Sequence, residues 1–261
     1  MINKNKNILL TFDVEEFDLP LDYGIRISLD EQMAVGEKGL NAITEMLDYQ
    51  KVNGTLFTTA NFGLRYPSAI AALSKKHEIA SHTFFHSSFN KEDLKNSRQV
   101  LEDIISKKVT GLRMPRMKKI EMGWVKEAGF SYDSSVNPTW IPGRYNNIRL
   151  PRTCYVENGI LRVPASVSVN FRIPLFWLSF KNLPYRYFRK LALQALKKDN
   201  YLSLYFHPWE FTDLNDYNVP LFIKRNSGEV LLDKLKRLIS DLKQEGEFLT
   251  MQSFIESCPL A

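Results

Sequence analysis

The sequence predicts an α/β protein, a distorted (β/α) barrel of seven or eight parallel strands forming a single domain over residues 1–261. Three observations carry this expectation. Short β-prone runs alternate with longer amphipathic stretches, the pattern of strands joined by crossover helices and therefore of a parallel sheet. Eight such runs occur in 261 residues, a length that suits a closed or distorted barrel better than an open doubly wound sheet. No GxGxxG follows the first run, so a dinucleotide-binding sheet is not supported.

The first strand is NILLTF at 7–12, followed by a helical pattern over 31–51. TLFTT at 55–59 leads into a helix near 66–76, EIAS at 78–81 into a charged helix near 91–107, and VTGL at 109–112 into a helix near 120–128. FSY at 130–132 opens a less regular middle. ILRV at 160–163, a basic helix over 184–198, LSLYF at 202–206, a helix near 229–245 and EFLTM at 247–251 complete the set. The stretch 134–159 is rich in Pro, Asn, Arg and Gly and has no periodicity, which predicts a long irregular loop that lines a site.

Composition excludes several classes. Hydrophobic residues at 44% and charged residues at 25% rule out a disordered or collagen-like chain and permit a sizeable core. The formal charge of +6 is too small to argue for nucleic acid as a partner. Cys154 and Cys258 form no CxxC, so neither a disulfide framework nor a thiolate zinc site is indicated. The apolar run at 8–12 is cut off by Asp13, too soon for a signal peptide or a membrane span, and a cytoplasmic location is expected.

Asp13, His82, Arg113, Asp133 and His207 each stand at or just after the end of a strand run, and in a (β/α) barrel those ends share one rim. His82 and His86 in SHTFFH would share a face if the segment is helical, as a metal site needs, although the Glu of HExxH is missing. Asp13, Glu15, Glu16 and Asp18 supply carboxylates. If the strand persists, Asp13 and Glu15 project to one side, which favours Glu15 over Glu16 as a ligand, while Glu16 and Asp18 suit a solvated loop. Arg113, held two residues before Pro115, can orient a carboxylate, whereas Arg116, Lys118 and Lys119 suit a solvated face. His207 can act as a general acid if a carboxylate holds its other nitrogen, and Asp133 is the expected holder. Trp140, Trp177 and Trp209 are candidates for sugar-stacking walls, with burial in the core as the plainer alternative.

In order, TFDVEEF at 11–17, SHTFFH at 81–86, RMP at 113–115, SYDSSV at 131–136 and FHPWEF at 206–211 resemble the motifs of the polysaccharide deacetylase family, also called the NodB homology domain or carbohydrate esterase family 4. The resemblance implies a distorted (β/α) barrel that removes acetyl from an N-acetylated sugar with a divalent metal, commonly Zn2+. Carried over by position, Asp13 is the general base, His82 and His86 are metal ligands, Arg113 orients the base, and His207 is the general acid with Asp133 as its tether. An oxyanion would meet the metal and a backbone N–H after Pro115. The first motif departs from the usual adjacent pair of acids, because Val14 separates Asp13 from Glu15; Glu15 is taken as the third ligand and Glu16 as its rival. Pro115, Trp140, Trp209 and Tyr205 are the expected substrate contacts. Arg116 replaces a usual aromatic residue and Tyr205 a usual leucine, which alters the acetyl pocket.

The expected function is a metal-dependent hydrolase acting on a glycan or a lipid-linked sugar precursor. The alternatives are a metal-independent, allantoinase-like hydrolase of cyclic amides and a catalytically silent carbohydrate-binding protein. The basic stretch 184–198 reads first as a barrel helix with a cationic outer face, and second as a peripheral contact with the inner face of an anionic membrane.

Overall fold

The computed structural model describes residues 6–257, so Cys258 lies outside the described residues. Its strands are β1 (Asn7–Val14), β2 (Thr55–Thr58), β3 (Glu78–Ser81), β4 (Gly111–Leu112), β5 (Tyr132–Asp133), β6 (Trp140–Ile141), β7 (Tyr145–Asn146), β8 (Tyr155–Glu157), β9 (Ile160–Arg162), β10 (Tyr201–Phe206) and β11 (Glu247–Phe248). The main sheet runs β10-β1-β2-β3-β4-β5-β9-β8, with β11 added beside the start of β1. All its pairings are parallel except β8 with β9. Each of the eight expected runs overlaps one of the eight parallel strands.

The sheet curls into a barrel that no strand ladder closes. Between β9 and β10 the gap is bridged instead by Ser166, whose N–H donates to Ser203 O and whose Oγ accepts from Ser203 N, both at 2.9 Å. Strand parity then sorts the residues. On β1, Ile8, Leu10, Phe12 and Val14 pack outward in the large core beneath the helices, while Leu9 belongs to the barrel interior. The inward row continues through Thr11 and Asp13 to Glu15. On β10 the inward row is Tyr201, Ser203, Tyr205 and then His207. Each row is apolar or neutral at the bottom and ionisable at the mouth, so the strand ends deliver charge to one place.

The helix Leu29–Gln50 holds the mouth together from outside. Ser28 caps it, accepting from Glu31 N at 3.2 Å, and Met33, Leu40, Ile43 and Leu47 form its buried face. Gly36 and Gly39 sit where the loops after β1 and β10 touch its backbone. A Cβ on Gly36 would lie 2.7 Å from Glu15 O, and one on Gly39 would overlap the Pro208 carbonyl.

Two expectations are corrected and a third is met. The helix near 66–76 is two short helices, Ala60–Arg65 and Pro67–Leu73, because Pro67 cannot continue the first and opens the second. The stretch 134–159 is not all loop: it holds the β6–β7 hairpin and β8. Its second hairpin turns on Asn158 (φ 50°) and Gly159 (φ 78°), and this Asn-Gly pair is itself a strong hairpin signal in the sequence. The basic stretch 184–198 is the helix Tyr185–Asp199, with Phe188, Leu191, Ala192, Ala195 and Leu196 buried, in agreement with the barrel-helix reading. Among the described residues, no helix is long and apolar enough to cross a membrane.

Gly39→Ala is expected to destabilise the protein by about 1–3 kcal/mol through overpacking against Pro208. Thermal unfolding checks it, with Ala34→Gly on the same helix as the comparison for propensity alone.

Candidate active site

Arg113 is fully buried at the base of the site. Its Nη1 donates to Asp13 Oδ1 at 2.6 Å and Thr11 Oγ1 at 2.8 Å, its Nε to Ser134 O at 3.2 Å, and its Nη2 to Ser134 Oγ at 3.0 Å. The guanidinium lies over the Phe57 ring, 4.0 Å from its centroid. Asp13 is thereby held through Oδ1, and Oδ2 faces His207 Nε2 at 3.8 Å.

Above this pair, Glu15 Oε2 stands 3.1 Å from both His82 Nε2 and His86 Nε2. All three residues are buried, and one donor atom from each lies within 4.8 Å of the others. Glu15 Oε2 and both nitrogens of His82 are buried without a hydrogen-bond partner among the described residues. Unpartnered buried donors of this kind fit a divalent cation, and two imidazoles with one carboxylate are a donor set that zinc accepts. Glu15 Oε1 accepts from Trp209 Nε1 at 3.0 Å, and His86 Nδ1 pairs with Asp18 Oδ1 at 2.7 Å, so both side chains are oriented from behind. Burial alone would raise the Glu15 carboxyl, but His86, His207 and His82 outweigh it and hold it well below the usual carboxylate range. Burial disfavours the His86 imidazolium, yet Glu15 and Asp18 push its pKa up.

The SHTFFH segment is not a helix. It is an irregular turn with Thr83 at φ 63°, fastened by Ala60 N and Asn61 N, which donate to the carbonyls of Thr83 and Phe84 at 3.0 Å. The imidazoles converge through this left-handed residue rather than through helical spacing. Glu16 turns away from the histidines to accept from Thr59 Oγ1 at 2.8 Å and from Asn61, so it is not the third donor of the cluster. Neither Glu16 nor Asp18 is in a solvated loop; both are buried.

His207 is tethered by Glu210, not by Asp133. Glu210 Oε1 accepts from His207 N at 2.7 Å and pairs with His207 Nδ1 at 2.9 Å. Its other oxygen faces the buried Lys181 Nζ at 3.9 Å, and that amine donates to Ile223 O at 2.7 Å. Asp133 instead pairs with Arg162 Nε at 2.8 Å and accepts from Ser135, whose hydroxyl accepts Met114 N at 2.8 Å. Asp133 therefore supports the RMP segment from below, because its strand partner β9 brings Arg162 beside it. The His-x-x-Glu spacing in HPWEF resembles a capping box and was the available signal for Glu210. Burial lowers the His207 pKa, but Glu15, Glu210 and Asp13 overcome it and raise it to about 9.

These groups open into one pocket. Asp13, Glu15, His86, Tyr205, His207 and Trp209 line it, as do Trp177, Ile141 and Tyr145. Trp140 is not in the lining and is 61% exposed, whereas Trp177, edge-on to His207 at 5.4 Å, lines the pocket. Trp209 stacks on His207 at 4.9 Å between ring centroids, and its N–H is committed to Glu15. Pro115 is buried outside the lining, whereas Arg116 and Met117 beside it are part of it. Arg116 is no solvated surface residue: its Nη2 pairs with Asp18 at 3.2 Å and Asp22 at 3.1 Å.

In the metal-free protein, Glu210→Gln is expected to bring the His207 pKa down from about 9, read by NMR titration of the imidazoles. The folded value lies above the ordinary 6.5, so the stabilisation from His207 is full below pH 6.5 and lost as pH rises through about 9. Wild-type unfolding temperature should fall across that window more steeply than that of Glu210→Gln.

The polysaccharide deacetylase family profile matches residues 2–122, the segment that carries Asp13, Glu15, His82, His86 and Arg113. Among curated proteins none matches. Solved structures that resemble the chain include a protein of Mycobacterium smegmatis assigned as a polysaccharide deacetylase, at 18% identity and TM-score 0.65, covering 98% of this chain and 92% of that one. The allantoinase Puue resembles it at 14% identity and TM-score 0.68, covering 99% and 92%. A Pseudomonas aeruginosa protein assigned as a polysaccharide deacetylase does so at 14% identity and TM-score 0.65, covering 97% and 90%. At such identities the likeness speaks for the fold. Over residues 2–122 the chain is similar to the polysaccharide deacetylase family, and nearly its whole length shares the fold of these structures.

Proposed function

We propose that the protein hydrolyses the acetamide of an N-acetylated sugar, in a glycan or a glycan precursor, with a divalent cation, Zn2+ first, held by Glu15, His82 and His86. The observation that carries this reading is the placement of Asp13 and His207 side by side at the floor of one pocket, next to the Glu15–His82–His86 donor set. A bound cation would polarise the acetamide carbonyl and make water a better nucleophile.

The chain's own groups supply the proton transfers. Asp13, held through Oδ1 by Arg113, presents Oδ2 to take the proton of the attacking water. A backbone N–H of the Pro115–Met117 turn stabilises the developing oxyanion. His207, fixed at Nδ1 by Glu210, presents Nε2 and delivers a proton to the departing amine. Glu210 and Asp13 both favour the protonated imidazole, which supports that role. Trp209 and Asp18 keep Glu15 and His86 aimed at the cation site. Tyr205 and Trp177 are proposed to enclose the sugar, and a cytoplasmic location accompanies this reading.

The test is acetate release from an N-acetylhexosamine glycoside. Asp13→Asn and His207→Ala are each expected to lower kcat by ~100-fold or more. Chelation should abolish turnover, and added zinc should restore it. Turnover of allantoin by metal-free protein would replace this reading with cyclic-amide hydrolysis; glycan binding without product under any metal would replace it with a silent binding protein. Glu15→Gln should lose cation affinity, by isothermal titration calorimetry, while keeping the fold.

A further inference from the structure

The pocket is small, and one stretch of its wall is apolar. Its volume is about 280 Å³, at the lower end of the roughly 300–1,000 Å³ of small-molecule sites. That is room for one sugar unit and a narrow substituent rather than for a run of sugars. Asp22, Arg116 and Arg144 line it nearer the surface, and its deeper acids and imidazoles are the buried Asp13, Glu15, Asp18 and His86 and the largely buried His207. Outward from them, the lining passes through Phe176, Trp177 and Leu178 to Ile223 and Phe222. Phe222 is 47% exposed, and Tyr23, also in the lining, is 41% exposed, so both stand at the mouth. A sugar's hydroxyls can be met on the side of Arg116, Arg144 and Asp22, whereas the Phe176–Leu178 and Phe222–Ile223 stretch offers them no side-chain partners.

The walls are also tied in place. Arg116 joins the turn Leu19–Tyr23 to the turn Pro115–Met117 through Asp18 and Asp22. Lys181 joins the helix Trp177–Asn182 to the helix Leu221–Lys224 through the Ile223 carbonyl. The second tie involves the same amine that faces Glu210, so the apolar wall and the His207 tether share one anchor.

We infer that the substrate is a single N-acetylated sugar whose glycosidic substituent is an apolar chain, which leaves the pocket along Leu178, Ile223 and Phe222. This rests on the deacetylase reading for the placement of the acetamide at the floor. With the acetamide at the donor set, the opposite end of the sugar points to the mouth, and the apolar path begins there. The N-acyl group sits among Asp13, Glu15 and His207, where a longer acyl chain meets charge instead.

The test measures dissociation constants of the zinc-loaded protein for methyl, butyl and octyl N-acetyl-β-glucosaminides, below the micelle threshold of the octyl compound. Quenching of tryptophan fluorescence reports binding without needing turnover. The expected result is at least tenfold tighter binding of the octyl than of the methyl glycoside, and a ratio that falls toward one in Phe222→Ser; a general loss of structure would weaken both ligands and leave the ratio unchanged. Three outcomes overturn the inference: no dependence on chain length, tighter binding of chitohexaose than of the octyl glycoside, or a chain-length effect that follows the N-acyl group of methyl glycosides instead. Acetate release is followed in parallel. Chain-length-dependent binding without acetate would sink the deacetylase reading and leave the apolar subsite standing, while turnover without chain-length dependence would do the reverse.

Discussion

A guanidinium sealed from water persists only when its donors are answered, and the barrel interior is arranged around that requirement at Arg113. Thr11 and Asp13 on β1, Ser134 after β5 and the Phe57 ring on β2 all converge on it. One side chain thus ties together strands that are not all neighbours in the sheet. Removing it would strand Asp13 in the interior as an uncompensated carboxylate. The orientation of Asp13, and with it the geometry of the proposed water-activating step, follows from how this cation is kept buried.

From Asp13 the ionisable groups alternate in sign. His207 follows, then Glu210, then Lys181. A second series runs from Glu15 through His86, Asp18 and Arg116 to Asp22 near the surface. Alternation lets so many charges share a buried mouth, since each has an opposite charge as its neighbour in a medium that screens poorly. It also gives the two halves of the site different characters. In the Asp13–His207 half each group is held by one atom, Oδ1 by Arg113 and Nδ1 by Glu210, and the other atoms face each other at 3.8 Å. The Glu15–His82–His86 half gathers one donor atom from each residue within 4.8 Å of the others.

Much of the framework was legible because it is local. The parity that places Asp13 and Glu15 on one side of β1 needs only an extended chain, and the eight parallel strands overlap the runs that the sequence marks. The errors have a common origin in contacts between distant residues. Asp133 looked like the partner of His207 until β9 brought Arg162 against it. Glu16 and Asp18 looked like solvated acids until Thr59, Asn61, His86 and Arg116 enclosed them. Trp140 and Trp177 were equivalent in the sequence, and only the β6–β7 hairpin leaves one in solvent while the helix Trp177–Asn182 carries the other to the pocket. The Asn158–Gly159 turn and the His207–Glu210 spacing were local and readable.

By itself, the sequence determined which chemistry is available and at which strand ends it stands, because hydrophobic period and residue type are properties of short segments. The tertiary structure decided which carboxylate answers which cation, which way each imidazole turns, and how apolar the path to the surface is. Those are questions of distance and desolvation between groups far apart along the chain, and pairing energies in a buried site change too steeply with separation for order along the chain to settle them.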